Sequence, residues 1–171
     1  MFKSSIFYFK AKMIARLFIS FLLITNLFSQ SYFPNNVVDL INNKTTNLHN
    51  LTSEVTFVSF WATWCIPCIK EIDKLNEFVD EYEGLSVILI NEDKPGNEAK
   101  VKGFVRSRNY PISDNYNIVF DFDKKLSRQF SAQPIPLTLI LKDNKVIYRK
   151  RGFYLGDEVT LKREIENAFN N

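Results

Sequence analysis

The sequence predicts one α/β domain built on a mixed central β-sheet flanked by helices, with a β-hairpin extension on its N-terminal side. Two runs, Val55–Phe60 and Leu85–Ile90, are rich in aliphatic, β-branched and aromatic residues and enclose a segment of helical period. That is the pattern of two buried parallel strands joined by a crossover helix. Two later runs, Leu137–Leu141 and Lys145–Arg149, flank the turn formers Lys142-Asp143-Asn144 and read as an antiparallel hairpin. A closing helix follows, its stripe made of Leu161, Ile165, Ala168 and Phe169. A βαβ unit followed by a ββα unit puts parallel and antiparallel pairs into one sheet.

The remaining elements follow in order. Val37–Ile41 and Thr45–Leu48 are two short strands around Asn42-Asn43-Lys44. In the crossover segment Ile69, Ile72, Leu75, Phe78, Val79 and Tyr82 recur at helical spacing. Lys70, Glu71, Asp73, Lys74, Glu77, Asp80 and Glu81 fall on the other side, and Gly84 stands where a helix stops. After a polar loop from Asn91 to Gly96, a second helix covers Glu98–Arg108. A shorter strand at Ile118–Phe120 then leads to a one- or two-turn helix at Lys124–Phe130.

At 171 residues the chain has room for one domain of ordinary size. Apolar residues at 46% and charged residues at 24% are the composition of a chain with a real core. The net charge of +3 comes from one place, because Lys3, Lys10, Lys12 and Arg16 all precede the first acidic residue, Asp39. The 22 basic residues less these 4 leave 18 against 19 acidic ones, so the domain is near neutral and no nucleic-acid partner is indicated.

Those four cations lead into the apolar stretch Leu17–Ile24 and, past Thr25 and Asn26, Leu27-Phe28. This is shorter than the ~20 residues that span a bilayer as a helix. With small residues at Ser29 and Ser31, residues 1–30 read as a secretory signal cleaved near Ser29–Ser31, or alternatively as an uncleaved N-terminal anchor. Met13 is an equally good start, and there is no Cys for lipid attachment here. Either way the domain, residues 31–171, is expected to be exported to a periplasmic or extracytoplasmic location.

Cys65 and Cys68 are the only cysteines. Closing so short a loop constrains the unfolded chain little, so the pair is there for chemistry. Zinc wants four N/S ligands, and the chain offers two Cys and His49, which lies in a polar turn. Covalent haem attachment wants His directly after the second cysteine, where Ile69 stands. No metal or other cofactor is therefore expected. The pair sits between a buried strand and a helix start, where unpaired N–H groups and the helix dipole favour a thiolate. Cys65 is expected to be the attacking sulfur and Cys68, one turn further in, the resolving one. Pro67 lies in the first turn, where its missing N–H is tolerated.

The stretch Phe57–Cys68 resembles the active-site segment of thioredoxin-fold proteins. Phe60-Trp61-Ala62-Thr63-Trp64-Cys65 with Pro67-Cys68 is especially similar to the TlpA/ResA-like branch of thiol-disulfide oxidoreductases. Gln133-Pro134-Ile135-Pro136-Leu137-Thr138 resembles the family's cis-proline segment, with Pro136 at the matching position. The resemblance implies that Pro136 is cis and that the Ile135 backbone faces the cysteines and pairs with an extended substrate. Trp64, Ile66, Pro67 and Ile135 are then the expected substrate-contacting residues, and Trp61 is expected in the core. Thioredoxins proper carry a buried acid at the position held here by Ser59. The TlpA/ResA-like branch often places a Glu after the next strand instead, and Glu92 matches that placement as a proton acceptor for Cys68.

The resemblance further implies a monomer that reduces disulfides of exported proteins, apocytochromes c among them, with electrons from a membrane thiol carrier. The dipeptide Ile66-Pro67 tunes the potential within the range of about −270 to −120 mV spanned by related couples. Two alternatives are a thioredoxin-fold peroxidase and a binding module with a structural disulfide. The first wants a Thr three residues before the cysteine, where Ala62 stands. The second would hold a disulfide that weak reductants cannot open.

Overall fold

The computed structural model describes residues 32–170, and the expected signal or anchor at residues 1–30 lies outside them. Seven strands form one sheet: β1 (Val37–Leu40), β2 (Thr45–Asn47), β3 (Val55–Trp61), β4 (Leu85–Asn91), β5 (Tyr116–Phe120), β6 (Leu137–Lys142) and β7 (Lys145–Arg151). Their spatial order is β2-β1-β5-β4-β3-β6-β7. The helices are α1 (Ile66–Asn76), α2 (Glu98–Ser107), α3 (Lys125–Gln129) and α4 (Asp157–Asn170).

The two mainly apolar runs take the middle of the sheet, where both faces are covered. β3 and β4 are buried at every residue and pair in parallel from Val55↔Leu85 to Trp61↔Asn91. β6 flanks β3 antiparallel, with Phe60↔Leu137 at one end and Val55↔Lys142 at the other. Side chains alternate along a strand. Val55, Phe57 and Trp61 therefore enter one layer with Ile72 and Leu75 of α1 and Leu161 and Ile165 of α4. Val58 and Phe60 enter the other with Phe33, Leu48, Leu126 and Phe130. Each large apolar side chain so buried stabilises by about 1.5–3 kcal/mol. A one-residue slip would exchange the two sets, so the register is firmly specified. Ser59 has the parity of Phe57 and Trp61 and so faces α1.

One pole of the sheet collects the ends of β3 and β4, the start of β6 and the end of β7. The cysteine motif lies at this pole.

Several boundaries differ from the sequence expectation. α1 stops at Asn76, and Val79–Glu81 form a 3₁₀ turn instead of a continued helix. The apolar spacing persists because that turn delivers Phe78 and Tyr82 to the same layer, with Tyr82 stacked on Phe169 at 6.1 Å. Gly84, at φ +83°, therefore ends the turn and not the helix. β5 starts two residues earlier than expected, at Tyr116. Asn117, a usual turn former, is accommodated there by donating to Asp114 O at 3.0 Å. β2 ends at Asn47, and His49 follows in a 3₁₀ turn with Nε2 2.7 Å from Phe33 O. The expected helix at Lys124–Phe130 is shorter, β7 runs on to Arg151, and Asp143 and Asn144 take positive φ in the tight turn before it.

The largest difference concerns Glu71, expected on the solvent side of the crossover helix. It is 2% exposed. At about 100° per residue, Glu71 lies about 60° from Cys68 and 40° from Leu75, between two buried positions.

Candidate active site

Trp61 ends β3 in the core, packed 5.8 Å from the Phe104 ring and 6.4 Å from Tyr110. The chain then turns through Ala62–Trp64, and the Cys65 N–H closes the turn on Ala62 O at 3.0 Å. Cys65 is the N-cap of α1, and its Sγ accepts from the Cys68 N–H at 3.3 Å. Pro67 occupies the first helical turn, as expected. The two cysteines form a disulfide. Cys65 is 5% exposed and Cys68 0%, with Cys68 Sγ 4.0 Å from Phe60 O.

Around Cys65 the surface is apolar. Trp64 is 60% exposed and Ile66 66% exposed. Both large apolar side chains stand in water beside the disulfide. The segment before β6 completes the rim. Ile135–Pro136 is cis, as is Gln133–Pro134, and Ile135 O lies 3.9 Å from Cys65 Sγ. Trp64, Ile66, Pro67, Ile135 and Pro136 thus gather with the cysteines at one pole.

Two buried carboxylates that the sequence did not single out support this pole. Asp93 accepts from the Thr63 N–H at 2.8 Å, the Thr63 hydroxyl at 2.7 Å and Asn91 Nδ2 at 3.0 Å. It thereby fixes the turn that leads into Cys65. Glu71 lies on the buried face of α1 with Cys68, one turn further along. Residues three apart on a helix have Cβ atoms about 5–6 Å apart. The Ser59 hydroxyl donates to Glu71 Oε2 at 2.6 Å, and the Thr138 hydroxyl donates to Oε1. Ser59 and Thr138 are register partners across β3 and β6, so the carboxyl bridges that ladder from above. Burial pushes the Glu71 carboxyl up to about 7, against the lowering effect of the two hydroxyls. The sequence signal was available in its position between Cys68 and Leu75, with a serine facing it from β3.

Glu92 is buried too, at 4% exposure, and burial raises its pKa. Its bonded partners lie elsewhere. Oε2 accepts from Gln133 Nε2 and is 3.7 Å from Lys124 Nζ, and Lys124 also donates to Glu92 O. Oε1 has no hydrogen-bond partner among the described residues. The structure thus ties Glu92 to the Gln133 segment and to α3, and brings Glu71 to the helix face of Cys68. Among the described residues, no group of His, Cys, Asp and Glu is arranged to hold a metal ion.

Residues 31–150 match the family model described as the AhpC/TSA family. A thiol-disulfide oxidoreductase ResA of Bacillus cereus is 32% identical over 120 residues, spanning 70% of this chain and 67% of that protein. Among solved structures, a thioredoxin-like protein from Porphyromonas gingivalis aligns with a TM-score of 0.67 at 22% identity, covering 80% of this chain and 90% of that one. StoA from Bacillus subtilis aligns with a TM-score of 0.59 at 21% identity, covering 75% and 93%. The structural likenesses establish the fold.

Proposed function

This chain belongs to the AhpC/TSA family and is a thiol-disulfide oxidoreductase of the thioredoxin fold, and we propose that it reduces disulfides of exported proteins through Cys65 and Cys68. The observation that carries the proposal is the placement of the pair. Cys65 caps a helix at an apolar, exposed rim, with Cys68 buried behind it. In the dithiol form, the Cys65 thiolate attacks one sulfur of the substrate disulfide and expels the other as a thiolate. Cys68, having lost its proton, then attacks the Cys65 sulfur of the mixed disulfide. The substrate leaves as a dithiol and the Cys65–Cys68 disulfide forms. Two electrons pass to the substrate, and a dithiol donor restores the enzyme by the reverse exchange.

Glu71, rather than Glu92, is the acid suited to Cys68's proton. It shares the buried helix face with Cys68, and with a pKa of about 7 it takes and returns a proton near neutral pH. Glu92 in this proposal holds the Gln133 segment. The apolar rim of Trp64 and Ile66, with the Ile135 backbone opposite Cys65, favours an extended polypeptide as substrate. The basic and apolar N-terminal stretch supports an extracytoplasmic site of action. There the substrates would include apocytochromes c, and a membrane thiol carrier would supply electrons to the monomeric domain.

The test has two parts. Cys68→Ser should trap oxidised exported proteins as mixed disulfides on Cys65, seen as reducible adducts on non-reducing gels. Equilibration with glutathione should give a potential nearer −270 than −120 mV, the range of reductants on this fold. A potential near −120 mV would reverse the proposed direction of electron flow. Absence of any adduct would remove the polypeptide substrate.

A further inference from the structure

Ile135, whose carbonyl oxygen lies near Cys65, belongs to the segment Phe130–Pro136, and β7 with the residue after it holds other carbonyls of that segment. Arg149 donates from Nη2 to Phe130 O at 2.6 Å. Arg151 donates from Nη1 to Ala132 O at 2.9 Å and Pro134 O at 3.0 Å, and from Nη2 to Ser131 O at 2.7 Å. The Gly152 N–H donates to Pro136 O at 2.8 Å. Ile135 stands outside this set. Its N–H has no acceptor among the described residues, and its carbonyl oxygen lies 3.9 Å from Cys65 Sγ.

Arg151 sits opposite Leu137 in the β6–β7 ladder, so the sheet fixes its backbone while its side chain reaches over the segment. A planar guanidinium presents five N–H donors in a rigid fork, which suits three carbonyls arrayed around it. A lysine ammonium, a point charge on a flexible stem, cannot hold that arrangement equally well. Hydrogen bonds from a charged donor are also stronger than neutral ones.

We infer that Arg151, supported by Arg149, is a positioning residue that holds residues 131–134 so that both backbone groups of Ile135 are presented to an extended substrate chain. The inference rests on the exchange reaction proposed above and adds a basis for selecting polypeptide disulfides. A substrate that lays its own backbone against Ile135 gains main-chain hydrogen bonds, and a disulfide without a peptide backbone gains none. The arginines act through the segment, and the chemistry stays with the cysteines.

The experiment measures wild type, Arg151→Ala and Arg151→Lys on two disulfides. One is insulin, with dithiothreitol as electron source; the other is 5,5′-dithiobis(2-nitrobenzoate), which has no peptide backbone. In Arg151→Ala the KM for insulin should rise about tenfold while kcat stays within about twofold. The rate of thionitrobenzoate release should also stay within about twofold. Arg151→Lys keeps the stem and the charge but loses the fork. It should raise KM about threefold, and it carries the test if the alanine variant does not fold. An equal loss on both disulfides, or an unchanged KM for insulin in both variants, overturns the inference. If the wild-type chain reduces neither disulfide, the exchange reaction itself falls, and the inference with it.

Discussion

Two buried glutamates flank the redox pole, and burial raises the pKa of both, yet they sit in opposite kinds of surroundings. Glu71 lies under α1, contacted by two hydroxyls that donate to it from neighbouring strands. Glu92 lies at the end of β4 with a lysine ammonium 3.7 Å away and a glutamine amide on the same oxygen. Burial raises both, and hydroxyl donors partly offset it at each; what Glu92 has besides is an adjacent cation, which favours its ionised form. On the proposed reading, Glu71 exchanges a proton and Glu92 holds two segments together. If that reading holds, a carboxylate's environment separates the two roles more than its burial does.

The sharpest separation should appear in stability against pH. The native Glu71 carboxyl titrates at about 7, against an ordinary 4.5. Below pH 4.5 both folded and unfolded chains carry it protonated, and its ionisation costs nothing. As pH rises toward 7 the unfolded chain ionises first, so the native state loses stability, by about 3 kcal/mol once pH exceeds 7. Glu71→Gln removes that titration. Urea unfolding should show the variant gaining about 3 kcal/mol relative to wild type between pH 4 and pH 8. A pH-independent difference would mean that Glu71 is not the raised acid.

The second separation is kinetic. Without a proton acceptor on its helix face, Cys68 should resolve mixed disulfides about a hundredfold more slowly in Glu71→Gln. Stopped-flow exchange should show this loss in the resolving step and not in Cys65's first attack. The inflection near neutral pH should also vanish from the profile. Loss of the first step instead would place Glu71 on the wrong sulfur.

Glu92→Gln should have the smallest effect. The amide can still meet Gln133, the attraction to Lys124 is lost, and the exchange profile should keep its inflection. Its rate should stay within about threefold and stability within about 1 kcal/mol. If this variant moves the profile and Glu71→Gln does not, the two acids exchange roles.

Local patterns were legible in the sequence because short-range physics decides them. Val55–Phe60 had to be buried on both faces, and the cysteine motif had to fall where that strand meets a helix. Gln133–Thr138 was recognisable by resemblance, and the structure sets it opposite Cys65. α1 was foreseen with its stop misplaced, because a 3₁₀ turn and a helix can deliver the same apolar residues to one core.

By itself, then, the sequence determined the order of elements, the central strands and the chemistry of the cysteine pair. Each depends on residues within a few positions of one another, whose periodicity and backbone preferences act before any long-range contact forms. Only the tertiary structure decided what surrounds each buried acid. Glu71 reads as one more charge on a polar stretch until β6 brings Thr138, 67 residues later, against it. The same holds for Arg151, which reads as one cation in a basic strand until its guanidinium meets Ser131, 20 residues earlier. Helical spacing can mark a residue such as Glu71 as inward-facing, but its hydrogen-bond partners come from segments that pack against it from far along the chain.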